Sequence, residues 1–200
     1  MSGMLSVRNR QRVRRVNSPL LRRITLCILG EQLFTKDFEL GIHLVAAPEM
    51  AHVNEAFLQH EGSTDVITFD YGNKAGQSPS LPRTGERPVQ RRSVADVKSN
   101  DRSPPRGSLK ACTALHGELF ICLDDAVKQA AQFRTTWQCE LVRYVIHGLL
   151  HLCGHDDLKP AARRRMKLAE NRLLRETARR FELANLGDRI SKRGTTRSAN

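Results

Sequence analysis

Within His147-Gly-Leu-Leu-His151-Leu-Cys-Gly154-His155-Asp156-Asp157, two imidazoles are followed by a glycine and then by three more side chains able to bind metal. At 3.6 residues per turn, His147 and His151 fall on one face of a helix and point the same way. Gly154 lets the chain leave that helix through a left-handed residue, so that a third group returns toward the same face. Two imidazole nitrogens and one further ligand make a transition-metal site with a position left for water, as in a catalytic rather than a structural centre. His155, Asp156 and Asp157 all have suitable chemistry for the third place. Cys153 is a weaker choice, because two residues after His151 it lies on the far side of the helix. Zinc accepts carboxylate as readily as imidazole, so a set of His147, His151 and Asp157 is chemically sound. The carboxylate also leaves room for another divalent ion.

Histidines four residues apart occur in many helices that hold no metal, so their neighbours decide. Leu141, Val142, Val145, Ile146, Leu149, Leu150 and Leu152 make this helix apolar almost all round and mark it as buried. The exceptions, Glu140, Arg143, His147 and His151, are spaced by three or four and form one polar stripe. A buried polar stripe needs partners, and a metal is one. The residue after the first histidine separates reaction classes. A zinc peptidase of the H-E-x-x-H type needs its general base there, and here that residue is Gly148.

These residues resemble the YbeY family, bacterial metal-dependent endoribonucleases of rRNA maturation, with the signature H-G-x-L-H-L-x-G-x-D-H. The match covers His147, Gly148, Leu150, His151, Leu152, Gly154 and Asp156. Two further blocks agree in order. Asn54-Glu-Ala-Phe57 with Thr64-Asp65-Val-Ile-Thr-Phe69 is similar to the family's N-x-x-[YF]…T-D-V-[LI]-[ST]-F, and Gly117-Glu118-Leu-Phe-Ile-Cys122 to its G-[DE]-I-x-I-S strand. The resemblance spans roughly residues 5 to 185, apart from one insertion. It implies that Asp157, which stands where the family has its third histidine, is the third ligand, with His155 the second choice at a position usually held by tyrosine. The family's arginine after the [YF] position, thought to contact RNA phosphate, is Leu58 here. The resemblance therefore leaves that charge to be supplied elsewhere, with Arg143 as one candidate.

The resemblance implies a single-strand-specific, metal-dependent endoribonuclease acting in maturation of the small-subunit rRNA 3′ end and in ribosome quality control. Hydrolysis would use a metal-activated water, with one divalent ion, zinc first, held by His147, His151 and Asp157. Partners implied are single-stranded rRNA, small-subunit ribosomal proteins and an assembly GTPase, with no DNA and no membrane. Two other classes remain: a ribosome-assembly binding factor whose metal is structural, and a metal-dependent hydrolase of another substrate, such as an amide.

Charge is segregated along the 200 residues: +7 over 1–23, −7 over 24–71, +6 over 72–116, −3 over 117–158 and +9 over 159–200, netting +12. The motif-bearing segments are acidic, which favours a bound cation. The flanks are basic, which together with an isoelectric point near 10.2 suits a polyanion such as nucleic acid. No run of 18 apolar residues exists, and the arginine-rich start has no apolar core of a secretion signal. Cys27, Cys112, Cys122, Cys139 and Cys153 are odd in number and contain no C-x-x-C pair. That pattern points to a reduced cytoplasm and to core thiols with no ligand or nucleophile role.

The elements that must position the site read as α+β: a small mixed sheet flanked by helices, with the His147/His151 helix buried at its centre. Leu5 to Val16 alternate weakly as an edge strand, with Arg8, Arg10, Arg12 and Arg14 on one side. Ser18-Pro19 caps a helix carrying Leu20, Ile24, Cys27 and Ile28. Leu40, Ile42 and Leu44 alternate as a strand, Pro48 opens a short helix, and Val66 to Phe69 reads as an interior strand. Residues 72–116, rich in Pro, Ser, Gly and Arg, read as a disordered basic insertion, which is either a neutral solvated loop or an auxiliary RNA tether. A strand at Leu119 to Leu123 and a helix from Asp124 to Phe133 follow. Thr135 and Gln138 are expected to form a capping box before the metal helix. A long helix then runs from Pro160 to near Gly187, with Met166, Leu173, Thr177 and Phe181 along one face. One domain over 1–187 and a disordered tail over 188–200 complete the expectation.

Overall fold

The computed structural model describes residues 3–59, 61–72, 112 and 114–187. Four strands form one sheet in the order β1-β2-β4-β3, from β1 (Gly3–Asn9), β2 (Asp37–Val45), β3 (Val66–Asp70) and β4 (Ala114–Cys122). β1, β2 and β4 run parallel and β3 is antiparallel to β4. The fold is α+β with a mixed sheet, as the sequence pattern indicates. Leu40 to Val45 of β2 are buried without alternation, because helices cover both faces of the sheet there. On one face, α1 (Ser18–Cys27), α4 (Trp137–Leu152) and α5 (Pro160–Arg180) join Leu21, Ile24, Leu40, Ile42, Leu119, Ile121, Leu149 and Leu173 in one core. On the other, α2 (Ala47–Leu58) places Met50 and Val53 against Val45, Ile67, Phe120 and Cys122. Helix α3 (Leu123–Phe133) leads from β4 into α4.

Five expectations change. The first strand ends at Asn9 rather than continuing to Val16, because Gln11 Oε1 accepts from Val13 N and Arg14 N and turns the chain. β3 is an edge strand among those described, not an interior one. Its apolar residues are covered from both faces, Val66 on the α4 side and Ile67 and Phe69 on the α2 side, with Phe69 meeting Phe57 of α2 and Phe120 of β4 edge to face. Helix α1 is capped by Asn17, whose Oδ1 accepts from Leu20 N at 3.0 Å, while Ser18 and Pro19 lie in the first turn. α5 ends at Arg180, and Leu183–Leu186 form a separate 3-10 turn that returns Leu186 to the core. The expected insertion is shorter at its far end, since Cys112 is buried and β4 already includes Ala114 to His116. The rest of that segment, with its tether role, and the 188–200 tail lie outside the described residues.

Two glycines let α4 lie close on β4. A Cβ on Gly148 would stand 2.6 Å from Leu119 Cδ2, and Leu119 is fully buried with nowhere to move. A Cβ on Gly117 would run into the Phe69 carbonyl oxygen across the β3–β4 ladder and come within 2.8 Å of Leu152 Cδ2. Helix propensity alone makes Gly→Ala favourable by about 1 kcal/mol within a helix. Here overpacking outweighs it, so Gly148→Ala and Gly117→Ala are expected to destabilise by about 1–3 kcal/mol each in urea unfolding. The Gly117 change is expected to be the larger, because a backbone atom cannot rotate away. A stabilised Gly148→Ala would contradict the close approach.

Candidate metal centre

Helix α4 begins at Trp137 because Arg134 ends α3 in a left-handed conformation and Thr136, with extended backbone, accepts from Cys139 N at 3.2 Å. The cap is therefore Thr136, one residue after the expected Thr135. Thr135 instead donates its hydroxyl to Glu140 Oε1 at 2.7 Å. Glu140 is 2 % exposed, and its other oxygen accepts from Arg143 Nε at 3.1 Å. Arg143 Nη1 then donates to Glu170 Oε1 at 2.7 Å and to Asn171 Oδ1 at 2.9 Å, both on α5. Glu170 Oε2 meets His147 Nδ1 at 3.1 Å. The polar stripe of α4 is thus answered by a chain of charge-assisted hydrogen bonds ending on a site histidine, with one cation between two buried carboxylates.

After Leu152 the chain turns at Gly154, φ +79°, with Gly154 N donating to His151 O at 2.8 Å and His155 N to Leu150 O at 2.9 Å. This turn returns the His155 carbonyl oxygen to His151 Nδ1 at 3.1 Å. A carbonyl only accepts, so His151 carries its proton on Nδ1. The carboxylate opposite His147 places the proton on Nδ1 there as well. Both Nε2 atoms consequently present lone pairs, and they face each other at 3.1 Å. Two nitrogens each about 2 Å from one tetrahedral ion stand a little over 3 Å apart, so the pair fits a shared cation. Ligand atoms of His147, His151 and Asp157 all lie within 4.8 Å of one another, the set that comes together among the described residues. Asp156 is drawn elsewhere, with its Oδ1 accepting from Leu158 N at 2.9 Å. His155 contributes its backbone to the site.

Protonation follows the same geometry. Burial opposes the charged form of His147, but the Glu170 hydrogen bond and the charges of Glu170, Asp65 and Asp157 outweigh it, and its pKa is raised. His151 is lowered, first by burial and then by a charge on His147. Burial also opposes ionisation of Glu170, but His147 and Arg143 hold its pKa below the usual range. Among the described residues no cysteine joins the His147, His151 and Asp157 set. Burial pushes Cys122 up to about 12, and Cys153 is raised first by its hydrogen bond to Cys112 and then by burial.

Arg143, a candidate for the missing phosphate contact, is committed to Glu140 and Glu170 and does not present a free charge. Leu58, at the position of that missing arginine, packs on the α2 side of the core. Glu170 was not anticipated. The one signal available was a lone glutamate aligned with Met166, Leu173 and Thr177 on the buried side of an otherwise basic helix.

Fold and clustered donors define an α+β protein with a His/Asp group able to hold a metal ion. The chain belongs to the family described as Endoribonuclease YbeY, whose model matches residues 6–178. A relative of that name from Salinibacter ruber is 29% identical over 68% of each chain, and one from Bacteroides fragilis 33% identical over 63% of each. The match thus spans about two thirds of these relatives. One from Chlorobium luteolum is 27% identical over 88% of this chain and 98% of its own. In fold, the chain is similar to a solution structure from Thermotoga maritima, with a TM-score of 0.53 and 20% identity, covering 96% of this chain and 100% of that one.

Removing the Glu170 charge should release its hold on His147. Glu170→Gln is expected to lower the His147 pKa in an NMR titration of the metal-free protein, and to weaken zinc binding about 10–100-fold in a chelator competition. Because a proton on His147 Nε2 competes with metal, and the folded pKa is raised above 6.5, zinc affinity is expected to fall already as the pH drops through that raised value. An affinity flat until well below 6.5 would contradict this.

Proposed function

We propose that this chain is a metal-dependent endoribonuclease that hydrolyses single-stranded RNA, with His147, His151 and Asp157 as ligands of one divalent ion, zinc first. Its place is the maturation of small-subunit rRNA, at the 3′ end, and ribosome quality control in the cytoplasm. Small-subunit ribosomal proteins and an assembly GTPase are its expected partners. The observation that carries this reading is the pair of Nε2 lone pairs 3.1 Å apart beside an aspartate, in a member of an endoribonuclease family. Among the described residues no helix is long and apolar enough to cross a membrane.

A divalent ion at this position supplies Lewis acidity toward a phosphoryl oxygen and acidifies water. The chain's own residues prepare the place. Glu170 and the His155 carbonyl hold the Nδ1 protons, so that both Nε2 atoms stay available as donors of electron pairs. Arg143 balances Glu170, which keeps that carboxylate from becoming an unpaired buried charge. Gly148 puts no carboxylate next to His147, so the helix offers no base of the peptidase kind.

Cleavage of a defined single-stranded RNA is expected to stop on chelation, return with zinc, and be lost in His151→Ala to the level of the chelated protein. Duplex RNA of the same sequence and a peptide substrate are expected to stay intact. Metal analysis of the purified protein should find the ion lost in Asp157→Ala and kept in His155→Ala. Binding of RNA without metal-dependent cleavage would instead make the chain an assembly factor with a structural ion.

A further inference from the structure

Helix α5 carries eight cations and two carboxylates over Pro160–Arg180. They are sorted by the face on which they fall. Glu170 is buried toward His147 and Arg143, and Glu176 pairs with Arg172 on the surface. Arg163, Lys167, Asn171 and Arg175 recur every fourth residue and so form one row along the helix, about 6 Å apart in rise. Both ends of this row's first half touch the site. Arg163 Nε donates to the Asp157 carbonyl oxygen at 3.0 Å, and Asn171 Oδ1 accepts from Arg143 at 2.9 Å. Lys167 lies between them. Arg164 stands beside the row, one turn before Leu168, which is 65 % exposed.

Arg164, Lys167 and Arg175 are exposed, and among the described residues none has a carboxylate within ion-pair distance. Elsewhere on α5 the surface cations are partly spent: Arg172 on Glu176, and Arg180 on Glu31 beside the first helix. Unspent positive charge is thus laid along the flank that borders the candidate ligands, while the immediate site is acidic through Glu170, Asp157 and Asp65. A cation and a polyanion are each given their own surface, side by side.

We propose that the unpaired cations of this row, Lys167 and Arg175, together with Arg164 beside it, form the track on which the phosphate backbone of single-stranded RNA lies as it passes the metal centre. The proposal rests on the endoribonuclease reading for the identity of the strand, and on the row's charge and position for its location. Contacts of this kind are to phosphates, so the track holds RNA without reading its sequence. Arg165, Arg172 and Arg179 fall on the outer face of α5, turned away from the core and farther round from Asn171, and are not part of it.

The test compares two triple variants with equal loss of charge: Arg164→Gln/Lys167→Gln/Arg175→Gln on the track, and Arg165→Gln/Arg172→Gln/Arg179→Gln on the outer face. Glutamine keeps helix propensity close to that of Arg and Lys. Affinity for fluorescent oligouridine is read by anisotropy across a salt series in chelator, then KM and kcat for cleavage with zinc restored. The track variant is expected to bind at least about tenfold more weakly and to flatten the slope of log K against log salt by about 2, from about 0.7 per lost phosphate contact. Its KM should rise while kcat and zinc content hold. The outer-face variant should keep most of the wild-type slope. Equal effects of the two triples, or an unchanged slope in the track variant, would overturn the proposal and leave the row to another partner, such as an acidic protein surface. Should the wild type bind but never cleave while the track variant still loses its slope, the track stands and the nuclease reading fails.

Discussion

Two imidazole lone pairs are held 3.1 Å apart on a helix packed into the core, and both rings are locked in that orientation from behind. His147 has a carboxylate at its Nδ1 and His151 a carbonyl oxygen, and neither partner can give a proton back. The remaining nitrogens therefore repel unless something positive lies between them. A proton does so at the cost of charging a half-buried ring; the Glu170 carboxylate offsets that cost for His147, whose pKa rises, while burial and then the charge on His147 lower that of His151. A divalent ion held between them would do so for both rings at once, with Asp157 within reach as the compensating anion.

Keeping this arrangement explains features that otherwise look unrelated. Glu170 alone against neutral His147 would be a buried carboxylate with one weak partner, and the desolvation of such a group costs several kcal/mol. Arg143 removes that cost, but then requires its own surroundings, supplied by Glu140 and Asn171. Glu140 in turn uses the Thr135 hydroxyl, which is why the residue before the helix cap is a hydroxyl residue at all. The chain from Thr135 to His147 crosses from one helix to another and joins α4 to α5 through charge rather than through apolar packing alone. Gly148 and Gly117 act from the opposite side, letting α4 settle on β4 so that the stripe is buried deeply enough to need this network.

What was legible in the sequence is what periodicity controls. The α4 helix, its apolar surround and its polar stripe follow from spacing, as do the existence of strand β2 and the glycine that ends α4 in a left-handed turn. Errors arose where tertiary context chooses between equivalent local options. Asn17 and Ser18, or Thr135 and Thr136, are interchangeable as capping residues by chemistry, and the entry path of the chain selects one of each pair. β3 is as apolar as an interior strand because the cores on both sides of the sheet cover it, so composition alone misplaces it. Among His155, Asp156 and Asp157, no helical period applies beyond Gly154. The separation comes from backbone hydrogen bonds instead, with Leu158 N donating to Asp156 and the His155 carbonyl accepting from His151. Glu170 stayed hidden for the same reason, since its partners are 23 and 27 residues away in sequence.

The alternation of charge along the sequence also changes meaning once folded. A segment of net +9 over residues 159–200 reads as a uniformly basic end, yet within α5 the one carboxylate that matters points inward and the cations point out. Net charge is therefore a poor guide to what the helix does, whereas its distribution by face is a good one. Inward, α5 supplies negative potential to a site able to hold a cation. Outward, it supplies positive potential that reaches about one Debye length, roughly 8 Å at physiological salt, and so acts on a strand before contact is made. The two fields coexist on one helix because the interior pair is short, hydrogen-bonded and shielded from salt, while the surface charges remain free to exchange counterions.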